Sequence, residues 1–490
     1  MSRLGTYAAV LVGGGALALA FPEPDLAPVA WIALVPLLVS LRRAPPGRAL
    51  RLGIAFGLSF FGALLSWISL VGWVAWAVLI ALESLFVGAF GLAFSYSSRA
   101  GAVLRVASAP VLWVAAEYLR ARVPLGGFTW GQLAQSQHNL AWMLKPAAFA
   151  GGWAVAFVVV GVNALMAEAW IALVDRRIVF AAASTGLAAL LVGLPALVPQ
   201  IEADGRPIKV AIVQGNVPRD FEGDVFDKEL KIISSHERLT ARLDQPVDLV
   251  VWPESSLGID IDENSQASEA VRGAAVAADA PMIVGGNLDV DSDHYRVMAF
   301  LVDAQGAIVD RYQKTHLVPF GEYVPARSYL DWIPMLDQVP RDAVAGREKT
   351  VFGVAGGQIA PVVSYEGDFG SLVRSRIDSG GRMLVVATNT STWGESWASA
   401  QHVAFSKVRA VENGVWVIHA ALSGISAFIA PNGSVFGTAP LWTATTSIHE
   451  VRFATEPSFY ARTGDWLPVA CLLLAVVMGA ALLVRGRTRP

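Results

Sequence analysis

Three polar residues, each at the end of a strand-like run, could do chemistry in this chain. Residues 359–363 are apolar and rich in β-branched side chains, and the run stops at Ser364-Tyr365-Glu366-Gly367. A buried strand that ends this way delivers its last side chain to a sharp turn at the top of a sheet. A serine held there can attack an acyl carbon if a base takes its proton and a positive group holds the oxyanion. Upstream, Val251-Trp252-Pro253-Glu254 closes another apolar run. Proline cannot continue a central ladder, so the strand is expected to stop and present Glu254 as a general base. Lys314 follows the strand-like residues 307–312 and can supply the fixed positive charge. Taken singly, a strand-end Glu is usually a solvated charge, a lone Lys is surface, and a Ser before Tyr-Glu is a turn residue. The signal is the ordered set of Glu, Lys and hydroxyl, each at a strand end.

The elements that must position them alternate. Strand-like runs fall at 209–213, 248–252, 281–285, 297–303, 307–312, 359–364, 383–388, 415–421 and 426–430. Helical patterns fall at 227–243, 266–278, 370–378 and 399–412. Such alternation predicts an α/β domain with central sheets. Gln305-Gly306 and Asn432-Gly433 read as hairpin turns. Residues 316–350 show little periodicity, as lids and binding loops do.

The rest of the chain is a different solvent problem. Of 490 residues, 54% are hydrophobic and 16% charged, too apolar for a wholly soluble protein. The apolar residues concentrate in 1–200 and again in 466–484, around a domain of ordinary soluble composition at 207–455. Candidate spans lie at about 6–21, 27–41, 54–71, 74–96, 107–119, 150–173, 178–197 and 466–484, near the roughly 20 residues a bilayer requires. With eight spans, the arginines at 42, 43, 48 and 51, at 99 and 105, at 176 and 177, and at 485, 487 and 489 share one side. That side is expected to be cytoplasmic and the 207–455 domain extracytoplasmic; Arg120 and Arg122 then fall on the wrong side. Glu83, inside the fourth span, reads either as a functional intramembrane carboxylate or as a group bonded within the bundle. Glu117 and Tyr118, near the outer end of the fifth span, read either as the lining of a lipid-binding mouth or, the favoured reading, as interfacial anchors. The net charge of −3 gives no reason to expect a nucleic-acid partner. The single cysteine, Cys471, excludes an intrachain disulfide and a cysteine-rich metal site. Neither metal nor cofactor is expected, and nothing calls for a partner subunit, so a monomer is expected.

Trp252-Pro253-Glu254, then Lys314-Thr315-His316-Leu317-Val318-Pro319-Phe320-Gly321-Glu322-Tyr323-Val324-Pro325, then Tyr365-Glu366 resemble the apolipoprotein N-acyltransferases, membrane-embedded members of the nitrilase superfamily. Residues 209–216 and 409–414 resemble that family's first strand and a late helix. The resemblance spans nearly the whole chain. It implies a membrane domain of seven transmembrane helices at 1–200, an αββα nitrilase-like domain at 207–455 and an eighth helix at 464–485. It implies Glu254 as base, Lys314 as oxyanion stabiliser and Ser364 at the nucleophile position. Glu322, Tyr365 and Glu366 are then supporting residues of the site. Trp393, His316 and Glu83 are further candidates for substrate contacts. The reaction implied moves an acyl chain from a phospholipid, typically phosphatidylethanolamine, through an acyl-enzyme to the diacylglyceryl-cysteine of a lipoprotein. That places the protein in a bacterial inner membrane with its catalytic domain on the periplasmic side.

Two departures stand out. The family's nucleophile is a cysteine, and this chain has Ser364, whose hydroxyl needs a stronger base than a thiol does. A Cys→Ser variant that traps substrate, a natural serine enzyme and a catalytically impaired lipid or lipoprotein binder all stay open. So does a membrane-tethered amidase, which the spans disfavour. After Asn389 the family's tryptophan is displaced by one position to Trp393, which puts its role as a lid over the lipid in question. A Ser-His pairing through His316 is the weakest of the catalytic alternatives.

Overall fold

Residues 207–214 carry apolar side chains on both faces, as a strand covered on both sides requires. Ile208, Val210 and Ile212 pack into one apolar layer and Ala211 and Val213 into another. This pattern repeats through the computed structural model, which describes residues 2–219 and 221–487. Two compact units emerge: Ile201–Arg462, and the residues up to Gln200 joined by those from Thr463 onward.

In the first unit, Pro207–Gln214, Leu249–Leu257 and Met282–Asp289 run parallel in the middle of a seven-stranded sheet. His294–Val302 and Ile308–Gln313 extend it antiparallel on one side and Thr445–Arg452 on the other. A six-stranded sheet is built the same way around the parallel strands Gly357–Val363, Met383–Thr388 and Val417–Ala421. The two sheets share an inner apolar layer in which Val210, Val251 and Ile283 meet Ile359, Val385 and Ile418. Val225–Thr240 and Ser265–Ala278 cover one outer face, and Gly370–Asp378 and Ala398–Asn413 the other. The architecture is the expected αββα sandwich, and both hairpins form where expected.

Two expectations fail locally. The strand does not stop at Pro253: it continues to Leu257, and its pairing with Met282–Asp289 slips between Trp252 and Leu257. Glu254 therefore sits in a bulge, not at a tip. A bulge spares proline the ladder bond that it cannot make. The neighbouring strand must come very close there. A Cβ on Gly285 would lie 2.4 Å from the Pro253 carbonyl oxygen, so only glycine fits. The strands Val435–Ala439 and Thr445–Arg452 had no counterpart in the sequence reading. Both are edge strands: Thr445–Arg452 is largely polar, and Val435–Ala439 is a short, mostly exposed strand with a glycine at its centre, so neither shows the apolar alternation that marks a strand.

Among the described residues of the second unit, five helices are long and apolar enough to cross a bilayer: Pro46–Leu64, Trp73–Ser97, Ala102–Arg120, Gly152–Val174 and Ile178–Leu197. The first expected span is the helix Arg3–Ala18, and the last is Trp466–Arg487; Arg489 lies outside the described residues. The second expected span is broken into a 3₁₀ turn Ala27–Trp31 and a short helix Val35–Leu41. Pro28 and Pro36 carry no N–H to continue a ladder. The broken backbone is satisfied instead by Asn163, whose Oδ1 accepts from Leu34 N at 2.9 Å and whose Nδ2 donates to the Ala30 carbonyl at 2.8 Å. Irregular backbone at membrane depth is tolerated only with such partners. Arg42, Arg43, Arg99 and Arg105 line one cavity of about 500 Å³, so two of the expected basic clusters share an end of the bundle.

Arg120 is not a misplaced loop charge. It is 3% exposed, and its Nη1 donates to Glu83 Oε2 at 2.9 Å and to the Trp130 carbonyl at 2.6 Å. Glu83 is thus half of a buried ion pair within this unit. Glu117 is buried as well, accepting from Trp113 Nε1 and from Leu133 N, both at 3.0 Å, so it is no interfacial anchor. Removing one member of a buried pair strands the other charge. Arg120→Ala is expected to lower stability by about 3–5 kcal/mol, and Glu83→Gln/Arg120→Met by clearly less, read as thermal unfolding in detergent. Equal losses in the two variants would show that the pair is not what holds this region.

Candidate active site

The strand Ile308–Gln313 delivers Lys314 to the inside of the sandwich, where it is fully buried. An ammonium there must be paired, and it is: Nζ donates to Glu254 Oε1 at 3.2 Å and to Glu322 Oε1 at 2.5 Å. Burial works against the charged amine. The two carboxylates outweigh it and hold Lys314 above its ordinary range. Glu254 is held from a second direction, its Oε2 accepting from the Asn389 amide at 2.8 Å. Burial raises the Glu254 carboxyl above the usual carboxylate range, against the pull of Lys314, and Glu322 adds to the rise. A raised carboxyl is a stronger base once ionised. Glu322 is fixed through Oε2 by the Val318 amide at 2.8 Å.

Ser364 follows Gly357–Val363 directly and opens the 3₁₀ turn Ser364–Asp368. Its φ is +48°, a left-handed conformation that costs a non-glycine residue about 1–2 kcal/mol. The surrounding turn over-determines it. Its hydroxyl lies within hydrogen-bond reach of the Glu254 carboxylate and 3.2 Å from Thr388 Oγ1. Glu254, Lys314, Glu322 and Ser364 are therefore brought together, as the order of strand ends suggested.

Glu366 has a different task. Fully buried, it accepts from Tyr312 Oη at 2.7 Å, from the amides of Thr315 and His316 at 2.8 and 3.1 Å, and from Val363 N at 2.9 Å. It ties the segment carrying Lys314 to the turn carrying Ser364. Tyr365 is buried and makes a ring cluster with His316 and Phe369. His316 stacks on Tyr365 at 5.5 Å, burial pushes its ring below the usual range, and its Nε2 has no hydrogen-bond partner among the described residues. The structure does not place it as a base for Ser364. Trp393 is half-buried at the end of the turn Ser391–Trp393, and Glu83 belongs to the other unit.

A cavity of about 640 Å³ lies beside this turn, lined among others by Val217, Arg219, Ser391, Thr392 and Trp442. Its wall begins two residues beyond Asn389, whose amide holds Glu254. Arg219 is stacked over Trp442 at 4.2 Å and paired with Glu395 at 2.8 Å. A carboxylate, a buried ammonium and a hydroxyl on a left-handed turn are the groups acyl transfer needs.

Two family descriptions match the chain. The apolipoprotein N-acyltransferase N-terminal domain covers residues 13–165, and the carbon-nitrogen hydrolase domain covers 209–458. The apolipoprotein N-acyltransferase of Geobacter metallireducens is 31% identical over 97% of this chain and 94% of its own length. The chain belongs to the apolipoprotein N-acyltransferase family. Its similarity to the family's proteins from Gloeobacter violaceus, 28% over 98% of this chain and 94% of theirs, and from Mycolicibacterium smegmatis, 31% over 100% and 87%, is equally continuous. As an apolipoprotein N-acyltransferase family member it is an acyltransferase and a bacterial membrane protein. In this member of the family, three groups close to Ser364 escaped the sequence reading: Thr388, His402 and Asp368. Thr388 ends an apolar strand, His402 lies on a buried helix face, and Asp368 reads as a turn residue.

Proposed function

We propose that the protein transfers an acyl chain from a phospholipid, phosphatidylethanolamine first, through a Ser364 ester to the α-amine of the diacylglyceryl-cysteine that begins a lipoprotein. Glu254 takes the Ser364 proton as Oγ attacks the donor's ester carbon. Lys314 holds the oxyanion, and the lysophospholipid oxygen leaves with the proton from Glu254. The lipoprotein amine then attacks the serine ester and gives a proton to Glu254, which returns it to Ser364 Oγ. Both substrates keep acyl tails in the bilayer, which gives a bundle of apolar helices in the same chain its purpose. We place the protein in the inner membrane with the catalytic unit on the periplasmic side, acting as a monomer.

The observation that carries this reading is the single ammonium of Lys314 shared by Glu254 and Glu322, with Ser364 on a left-handed turn beside them. It is tested by incubating the protein and Ser364→Ala with phosphatidylethanolamine and weighing both intact. A gain of one acyl chain in the first and none in the second is expected. No adduct in either makes the chain a lipid or lipoprotein binder.

The acylation rate should also rise with pH along a single limb. Only ionised Glu254 is a base, and burial keeps it protonated to a higher pH than an ordinary carboxyl. Single-turnover rates across pH locate the limb. A limb at the usual Glu value, near 4.3, would count against Glu254 as the base.

A further inference from the structure

Asp368 is fully buried at the end of the Ser364 turn, and neither carboxylate oxygen accepts an ordinary hydrogen bond from the described residues. A buried carboxylate left so bare needs a counter-charge. It has one: His402 Nε2 stands 3.2 Å from Oδ1, on a ring that is itself 3% exposed. The other ring nitrogen, Nδ1, is 3.2 Å from Thr388 Oγ1, and Thr388 Oγ1 is 3.2 Å from Ser364 Oγ. Four side chains thus form one unbroken line, from a carboxylate to the attacking atom.

The direction of that line decides what Ser364 can do. Thr388 has one hydroxyl proton. If His402 Nδ1 is bare, Thr388 donates to it, and the Ser364 proton turns toward Thr388 and away from Glu254. If Nδ1 carries a proton it donates to Thr388, Thr388 donates to Ser364 Oγ, and the Ser364 proton is left for Glu254. The surroundings favour the second arrangement. Asp368 faces the ring, and the ring also lies within hydrogen-bond reach of the Ser364 carbonyl, which can only accept. His419 packs edge-on at 5.0 Å with its Nδ1 bonded to Ser406 Oγ, and Glu254 adds a more distant negative charge. Burial opposes the imidazolium, but Asp368 outweighs it and lifts His402 above the ordinary histidine range. A donor aimed at Oγ stabilises the negative charge that grows there as the proton leaves. A serine needs that help far more than a thiol, which is already partly ionised near neutral pH.

We propose that Asp368, His402 and Thr388 form a buried donor chain into Ser364 Oγ that turns the Ser364 proton toward Glu254 and makes a serine workable as the acyl carrier in this protein. The inference rests on the acyl-transfer reading above. Thr388 touches the reacting atom; His402 and Asp368 act through it as positioning residues.

The test measures single-turnover acylation by phosphatidylethanolamine, as intact mass against time, in the full-length protein with either Ser364 or Ser364→Cys. Thr388→Val keeps the side chain's shape and removes the donor. In the serine protein it is expected to slow acylation about 100-fold at saturating lipid, with the half-saturating lipid concentration unmoved. Asp368→Asn should act in the same direction, and Thr388→Ser should restore the rate to within about three-fold. In the Ser364→Cys protein, Thr388→Val should cost less than about five-fold, because the two positions are coupled. Equal losses in both backgrounds, or no loss in the serine protein, overturn the donor chain. If Ser364→Cys is acylated and the serine protein is not, the donor chain fails while the acyl-transfer reading stands. If neither is acylated, that reading fails too.

Discussion

Lys314→Ala is expected to slow acyl transfer by about 1,000-fold or more, the largest loss of any substitution outside Ser364. Two effects combine. Removing the group that holds an oxyanion costs about 100- to 1,000-fold by itself. The second effect falls on the base. Lys314 Nζ is 3.2 Å from Glu254 and 2.5 Å from Glu322, so one ammonium neutralises two carboxylates, one buried and one half-buried. Without it they face each other as like charges in a poorly solvated site, and such pairs keep a proton. Glu254, already raised by burial, would be protonated at neutral pH and unable to accept from Ser364. The acid limb of the rate profile should therefore move to higher pH in Lys314→Ala, which a simple loss of oxyanion binding would not cause. Glu322→Gln is the control. It leaves the Lys314–Glu254 pair intact and removes one negative neighbour of Glu254, so its limb should move to lower pH. Single-turnover rates of the three proteins across pH decide the matter. A Lys314→Ala protein within ten-fold of the parent, or with an unmoved limb, removes Lys314 from the mechanism.

Glu254 and Ser364 were legible because each follows an apolar run: strands covered on both faces are continuous in hydrophobicity, and Ser364 stands just past the end of one while Glu254 follows the apolar part of another. Lys314 follows the half-exposed strand Ile308–Gln313 and is marked only by its place after it. For Glu254 the proline predicts a strand end, whereas the chain bulges and continues to Leu257. The difference is a property of the neighbouring strand, where Gly285 leaves room for the Pro253 carbonyl. Edge strands such as Thr445–Arg452 were missed because a polar sequence pairs through its backbone without leaving an apolar pattern.

Polar burial was the harder part. Asp368, Thr388 and His402 come from a turn, a strand end and a helix, and each alone has an ordinary reading. Only folding puts them in line. Arg120 was counted as a loop charge because charge counting cannot see a partner 37 residues away. The break in Ala27–Leu41 depends on Asn163, which lies more than 120 residues further along the chain. In each case the apolar residues announce the element, and a distant polar residue decides its final form. Glu366 is intermediate: its place in the motif was evident, while its job of joining the Lys314 segment to the Ser364 turn appears only from its bonds to Thr315 and Val363.

Ser364→Cys is expected to speed acylation by about 100-fold near neutral pH, the second large effect. A thiol loses its proton near pH 8.5, several units below an alcohol, so a carboxylate base has far less to do. The site offers the resulting thiolate a strong positive neighbour, since Lys314 is held charged by both glutamates. The left-handed turn at Ser364 requires no particular side chain, so the backbone can stay as it is. Labelling gives an independent readout. The chain's one native cysteine, Cys471, is buried in the helix Trp466–Arg487, so a new cysteine at 364 should be alkylated selectively. Its alkylation rate against pH reports the thiol's ionisation and should midpoint below 8.5, and Lys314→Ala should raise that midpoint. A cysteine that alkylates readily yet forms no acyl adduct would show that the nucleophile is not what limits this protein. The fault would then lie in how the lipid is seated, and the turn Ser391–Trp393, which follows the Asn389 amide that holds Glu254, is the first segment to vary.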